Sequence, residues 1–253
     1  MSNPTIDLLM SHRSIRKFED KPLPEGALET LIRCGQQAST SSNVQAYSVI
    51  HIADPERKKE LAALCSDQAQ IHQSAAFLVF FADIHRDLMA KQMHDGERFD
   101  GDYAEALMIA TVDAALMMQN VAVAAESMGL GICMIGAIRN KPKAVGELLG
   151  LPPHVFAVSG FCIGYPAQDP EVKPRLPLDA VLHRERYLDD ETHKTHMDAY
   201  DQAMVEFYES QGMHDRDPRW TTVMAGRTGQ FHVRIELDEY LTDQGFRVRN
   251  SGT

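Results

Sequence analysis

Cysteine is scarce in this sequence. Cys34, Cys65, Cys133 and Cys162 are its four cysteines in 253 residues. They stand too far apart for a CxxC pair or a dense disulfide framework, which excludes a stapled secreted scaffold and a cysteine-held structural zinc. A reducing cytoplasm is the expected compartment. No signal peptide is expected either, because the mildly apolar Met1–Met10 runs straight into His12, Arg13, Arg16 and Lys17 with no small-residue cleavage site. Positive charge is also short: 25 Lys+Arg against 36 Asp+Glu leave a net charge of −11. A field of that sign repels phosphate backbones and anionic lipid heads, so nucleic acid and membrane surfaces are excluded as partners.

Long hydrophobic runs are missing as well. The longest, Ala104–Ala125, is interrupted by Glu105, Asp113, Gln119 and Asn120, which predicts a buried helix rather than a membrane span. There is no G-x-S-x-G elbow, no G-x-G-x-x-G after a strand, no Walker A lysine and no H-E-x-x-H. Hydrolase and kinase chemistry lose their usual signatures. His193 and His196 could share a helix face, but with no carboxylate or cysteine fixed nearby no metal site is expected. Glycine and proline are scattered instead of pooled, and no repeat appears. One domain over 1–253 is expected, with a core of about 1–187 and an arm of about 188–253.

Apolar spacing of three and four predicts helices over Thr5–His12, Pro24–Ala38, Tyr103–Met128 and Pro142–Leu149, with Gly129 and Gly150 closing the last two. Strands are predicted over Tyr47–Ile52, Ala76–Phe81, Gly131–Ile138 and Val155–Ile163, the second covered on both faces. Arg86–Asp102, with two Asp-Gly pairs, reads as an exposed loop or lid. The helix over Tyr103–Met128 is apolar nearly all round. It therefore needs partners on several sides, and a second copy of the chain is the expected one, with Met108, Met117 and Met118 filling gaps. Beyond Tyr187 the texture is of polar helices and loops carrying a stripe of Tyr200, Met204, Phe207 and Tyr208. No strand is expected there before Phe231, and Arg247–Thr253 should fray.

In an acidic chain a local collection of cations is informative. His12-Arg13-Ser14-Ile15-Arg16 is one such place, and Lys173-Pro174-Arg175 is another. Arginine offers a planar fork for phosphate, although a solvated basic turn would look the same. Ser39-Thr40-Ser41-Ser42-Asn43 is a polar loop able to hydrogen-bond a flat heterocycle. At Met134-Ile135-Gly136 the missing Cβ would let a backbone N–H approach a ligand, or simply end a strand.

In order and spacing, the run from His12 to Phe18, the loop around Ser41, Gln68, the Ala-rich helix with Gly129-Leu130-Gly131, Ile135-Gly136 and Lys173-Pro174-Arg175 resemble the FMN-dependent nitroreductase family. The similarity is greatest to its group A branch of oxygen-insensitive NADPH nitroreductases and flavin reductases. The resemblance spans Thr5 to about Phe246. It implies a three-layer α+β fold with a central, mostly antiparallel sheet flanked by helices, in an interwoven homodimer. His12, Arg13, Ser14, Arg16, Lys173 and Arg175 would hold the phosphate and ribityl chain of FMN. Ser39, Ser41, Gln68, Met134, Ile135 and Gly136 would face the flavin ring, and Ser41, Ser42 and Asn43 would edge the substrate pocket. The implied activity passes hydride from NADPH or NADH through FMN N5 to nitroaromatics, quinones or flavins by ping-pong kinetics, with no protein nucleophile and no metal. A flavin-supplying protein, or a specialised reductase such as a dehalogenase, is the alternative on the same scaffold. Group A relatives place an arginine before the glycine that follows the long C-terminal helix, whereas here Gln211 precedes Gly212. Arg216 and Arg219 are the candidates for the NADPH 2′-phosphate, and the choice between NADPH and NADH stays open.

Overall fold

The structure, a computed structural model, describes residues 2–94, 101–213, 217–230 and 234–246. The chain divides into two compact units, one of residues 1–170 with 234–253 and one of residues 171–233.

The first unit opens with α1 (Pro4–Met10), where Asn3 Oδ1 accepts the Ile6 N–H at 3.0 Å and Pro4 occupies the first turn. It continues through α2 (Ala27–Gln36), β1 (Tyr47–His51), α3 (Pro55–Leu64), α4 (Ala69–Gln73), β2 (Ala76–Asp83), α5 (His85–Met93), α6 (Ala104–Ser127), β3 (Gly131–Ile135), α7 (Pro142–Leu149) and β4 (Val155–Gly164). The four strands form one antiparallel sheet in the order β1-β2-β4-β3. Alternation along the strands sorts the core into two halves. Phe77, Val79, Phe81, Cys133, Ile135 and Cys162 pack with Leu61, Ile71 and Val145 of α3, α4 and α7. Leu78, Phe80, Ile132, Phe161 and Ile163 pack with Leu31 of α2 and with Met117 and Val121 of α6. Helix, sheet and helix thus make three layers, and β2 is buried along its whole length as its apolar sequence implies.

α6 lies close on α2 because Gly35 of α2 leaves room for Val121 and Met117. A Cβ added at Gly35 would stand 2.7 Å from Val121 Cγ2. Ala110, Ala114, Met117, Met118, Val121 and Ala122 are buried, whereas Met108 (62% exposed), Val112 and Leu116 form an apolar stripe at four-residue spacing on the outward side.

Three expectations are corrected. Residues 86–93, expected in a loop or lid, belong to α5, because the breaking Asp-Gly pairs come only later and the Asp83 carboxylate accepts the His85 N–H at 3.0 Å. Residues 95–100 of that expected loop lie outside the described residues. The strand predicted to run to Ile138 stops at Ile135, where Gly136–Arg139 turns into a 3₁₀ segment. Residues 24–26 form a turn before α2 instead of its first turn, with Gly26 left-handed at φ 72°. Helices α3 and α4 were not anticipated, since their polar spacing carries little periodic signal.

In the second unit Asp189 caps α8 (Asp190–Ser210), accepting the Thr192 N–H at 2.8 Å. The buried Asp201 carboxylate accepts the Thr221 N–H at 2.9 Å at the start of α9 (Trp220–Thr228). No strand occurs among the described residues of this unit. The chain then returns to the first unit as α10 (Glu236–Asp243), whose Tyr240 packs on Gly146 of α7.

Candidate functional site

Residues 15–19 run from the outer edge of β3 to the segment that follows β4. The Ile15 N–H donates to Ile132 O at 2.9 Å, the Glu19 N–H to Tyr165 O at 2.9 Å, and the Ala167 N–H to Lys17 O at 2.9 Å. Gly131 makes this possible, since a Cβ there would overlap the Ile15 side chain. The segment is therefore a fixed rail, anchored by buried Ile15 and Phe18.

Its cations differ in how they are held. His12 Nδ1 lies 2.6 Å from Glu126 Oε1, and Arg13 grips Asp169 with Nε at 3.1 Å while donating to Ser11 O at 3.0 Å. Arg16 is exposed and has no hydrogen bond or acidic partner among the described residues. Its charge acts on Cys133, lowering a thiol pKa that burial raises. In an extended segment Ser14 and Arg16 share one side and Arg13 and Ile15 the other. The Ser14 side is thus the one left with an uncompensated cation. The Arg13 side opens on a cavity of about 430 Å³ lined by Arg13, Glu126, Gly131 and Asp169.

The serine loop is organised by a residue that sequence reading treated only as an interruption of an apolar run. The Asp113 carboxylate of α6 is 1% exposed and accepts the Ser41 N–H at 3.0 Å and the Ala46 N–H at 3.1 Å. Between them Ser42, Asn43 and Gln45 have φ of 47°, 59° and 55°. Such left-handed non-glycine residues cost about 1 kcal/mol or more each unless the surroundings fix them. Asp113 supplies that fixing from within, and Arg86 of α5 supplies it from outside by donating to Gln45 O at 2.9 Å and to Tyr47 O. The side chains of Ser39, Ser41, Ser42 and Asn43 stay exposed, so the loop presents its hydroxyls to solvent.

Gln68 follows another left-handed pair, Ser66 and Asp67, and its amide is engaged at both ends: Nε2 donates to Cys65 O at 3.0 Å and Oε1 accepts from Gln70 Nε2 at 2.7 Å. This loop is tied to the turn after β3, where Asn140 Nδ2 donates to Ser66 Oγ at 3.1 Å.

At that turn Met134 is exposed, Ile135 is buried and Gly136 is flanked by two guanidinium groups. A Cβ on Gly136 would lie 3.4 Å from Arg139 Nη2 and 3.8 Å from Arg234 Nη2. Arg139 is anchored by donating to Val158 O, a carbonyl freed where the β2–β4 register slips between Phe80 and Phe81. Arg234 Nε donates to Asn140 Oδ1 at 3.2 Å. Neither arginine has an acidic partner among the described residues, and burial, with Arg234's charge second, lowers the Arg139 pKa. Sequence reading missed both. Arg139, three residues after Gly136, was visible; Arg234 becomes relevant only because α10 returns to this unit.

In the second unit Lys173 Nζ donates to Tyr208 Oη at 2.8 Å, Arg175 Nη1 to Lys173 O at 3.0 Å and Tyr200 Oη to Pro174 O at 2.9 Å. The Lys-Pro-Arg run is thereby held to α8. Arg219 is engaged by its neighbour Asp217, through Nη2 at 2.6 Å and Nε at 3.0 Å, which holds that carboxylate well below the usual range. Gln211 is exposed after α8, and Arg216 lies outside the described residues.

The described groups offer fixed cations, hydroxyls and backbone N–H groups, which suit holding an anionic, flat cofactor that brings its own chemistry. Comparison with known proteins agrees. The nitroreductase family model matches residues 9–165, and the model of that family's C-terminal domain matches residues 173–249. An FMN reductase (NADPH) of Bacillus subtilis is 40% identical over 250 residues, covering 96% of this chain and 98% of that protein. An oxygen-insensitive NADPH nitroreductase of Salmonella typhimurium is 39% identical over 249 residues, covering 98% and 100%. The solved NADPH:FMN oxidoreductase of Vibrio harveyi, complexed with NAD+, superposes with a TM-score of 0.87 at 36% identity over 98% of this chain and 100% of that one.

Proposed function

The chain belongs to the nitroreductase family, and from that premise we propose that it is an FMN-dependent NAD(P)H oxidoreductase reducing nitroaromatics, quinones or flavins. The observation that carries this reading is the set of cations without acidic partners, Arg16, Arg139 and Arg234, collected beside β3 and the Gly136 turn in a chain of net charge −11. The residues fit the cofactor: Arg16 is an uncompensated cation suited to a phosphate, and a Cβ at Gly136 would narrow a polar cradle. When bound, FMN supplies two-electron chemistry at N5.

Ser14 and Arg16 would take the FMN phosphate and ribityl chain. His12 and Arg13, held by Glu126 and Asp169, support the rail as well as lining it. Ser39, Ser41 and Gln68 would meet the ring from their loops, and the Met134-Ile135-Gly136 backbone would offer its N–H groups to it. Ser41, Ser42 and Asn43 edge the acceptor pocket. Arg139 and Arg234 would counter negative charge on an acceptor oxygen held beside the Gly136 turn, where fixed cations count for more than they would in water. A homodimer covers the Met108-Val112-Leu116 stripe, and a cytoplasmic location suits four free thiols.

Arg16→Ala is expected to weaken FMN binding by about 10–100-fold, since it removes a charge-assisted phosphate bond of roughly 1.5–3 kcal/mol. Arg13→Ala should cost less, because Asp169 already satisfies that side chain. Recovery of free-FMN fluorescence on dilution measures both. Parental retention in Arg16→Ala, or a larger loss in Arg13→Ala, contradicts the site.

A further inference from the structure

α6 buries a carboxylate that its own helix does not need. Asp113 is 1% exposed, among the buried Ala110, Ala114 and Met117, and an ionised carboxylate in such surroundings is costly unless its oxygens accept hydrogen bonds. Both oxygens do, and both partners belong to one loop: Oδ1 accepts the Ser41 N–H at 3.0 Å and Oδ2 the Ala46 N–H at 3.1 Å. The carboxylate thus brackets residues 41–46 from inside. Val44 packs on the apolar cluster of Ala46, Ala82 and Ile84, and Arg86 closes the loop from outside by donating to Gln45 O and Tyr47 O. Glycine could take the left-handed positions at no steric cost. Ser42, Asn43 and Gln45 stand there instead, and the side chains of Ser41, Ser42 and Asn43 are exposed. Strain kept for the sake of particular side chains, and compensated by a buried charge, points to a use for those side chains.

We propose that Asp113 is a positioning residue for the acceptor step: it sets where the Ser41 and Ser42 hydroxyls and the Asn43 amide stand, and so how well an acceptor's carbonyl or nitro oxygen is hydrogen-bonded at the pocket edge. The inference rests on the reductase activity proposed above, with this loop at the acceptor pocket. Asp113 acts only through the loop backbone and touches no substrate. An oxidant that takes electrons without being hydrogen-bonded, such as ferricyanide, is indifferent to it, whereas a quinone presents carbonyl oxygens that the loop donors hold.

Asp113→Asn keeps the shape and leaves one oxygen for two N–H donors. In the FMN-loaded variant, hydrogen exchange of the amides of residues 41–46 should quicken about ten-fold while that of β2 and β4 stays parental. With NADPH as donor, KM for menadione should rise about ten-fold while the rate with ferricyanide is unchanged. Arg86→Ala, an exposed change on the other side of the loop, should move the menadione KM in the same direction, and it carries the test if Asp113→Asn does not fold. A parental menadione KM in the folded variant, or an equal loss with menadione and ferricyanide, overturns the proposal and leaves the activity standing. If the parent reduces neither acceptor, the activity falls, and exchange decides alone: quickening confined to residues 41–46 upholds Asp113 as the residue that positions the loop, and parental exchange refutes it.

Discussion

Asp113 and His154 show what single residues do here. A carboxylate at the centre of an apolar helix reads as a flaw until its acceptors are counted: it satisfies two backbone N–H groups of a loop that three left-handed residues would otherwise destabilise. His154 does comparable work close by, where its carbonyl accepts the Ile84 N–H at 3.1 Å. Its N–H donates to Gln244 O at 2.7 Å, and its ring meets Phe246 edge-on at 6.0 Å, so it holds the segment after α10. Burial first, then the charge of His85, against a smaller pull from Asp102, lowers its pKa below the ordinary 6.5. The folded protein thus binds this proton less well than the unfolded chain. Its contribution to stability is complete above pH 6.5 and is lost as pH falls from there through the folded pKa. Urea midpoints at pH 7.5 and pH 5 should differ in that sense. His154→Asn, which tolerates the left-handed φ of 65°, should shrink the difference; an unchanged profile would exclude His154 as its source.

Among the elements, α6 joins the core, the serine loop and an exposed apolar stripe. One face is buried against α2 and the sheet, while Met108, Val112 and Leu116 remain outside. Leu116→Glu touches little of the core, so the monomer should fold, but a charge in the stripe should abolish self-association. Sedimentation should show a dimer for the parent and a monomer for the variant, and a variant as dimeric as its parent rejects the interface. α6, β2 and β4 were legible in the sequence because apolar residues dominate all three. α3 was not, as Glu56-Arg57-Lys58-Lys59-Glu60 masks its buried Leu61 and Ala62. α5 was hidden by the Asp-Gly pairs that follow it, and β3 was overextended because Ala137 and Ile138 stay apolar beyond the Gly136 turn. The site was half legible for a related reason. Ser14, Arg16 and the serine loop are local runs, whereas Arg139 and Arg234 meet only through the return of α10, and Asp113 reaches its loop from another element.

For the whole molecule, the central feature is an acidic protein that gathers Arg139 and Arg234 at the Gly136 turn and keeps Arg16 beside β3. Arg16, Arg139 and Arg234 in the first unit, and Arg227 in the second, lack acidic partners among the described residues, while His12, Arg13 and Arg219 are held by carboxylates. Burial likewise leaves Cys65 inert, its thiol pushed up to about 12, so cysteine chemistry has no foothold there. The working parts bind, orient and compensate charge, and the redox step belongs to the cofactor. The most direct test is an anaerobic absorbance titration of the purified, FMN-loaded protein with NADPH and then, on a fresh sample, with NADH, before any acceptor is added. The account predicts that the yellow flavin band bleaches in proportion to added nucleotide, one equivalent per bound FMN, and returns when a quinone is supplied. A band that neither nucleotide bleaches, or a protein that takes up no FMN, would contradict it.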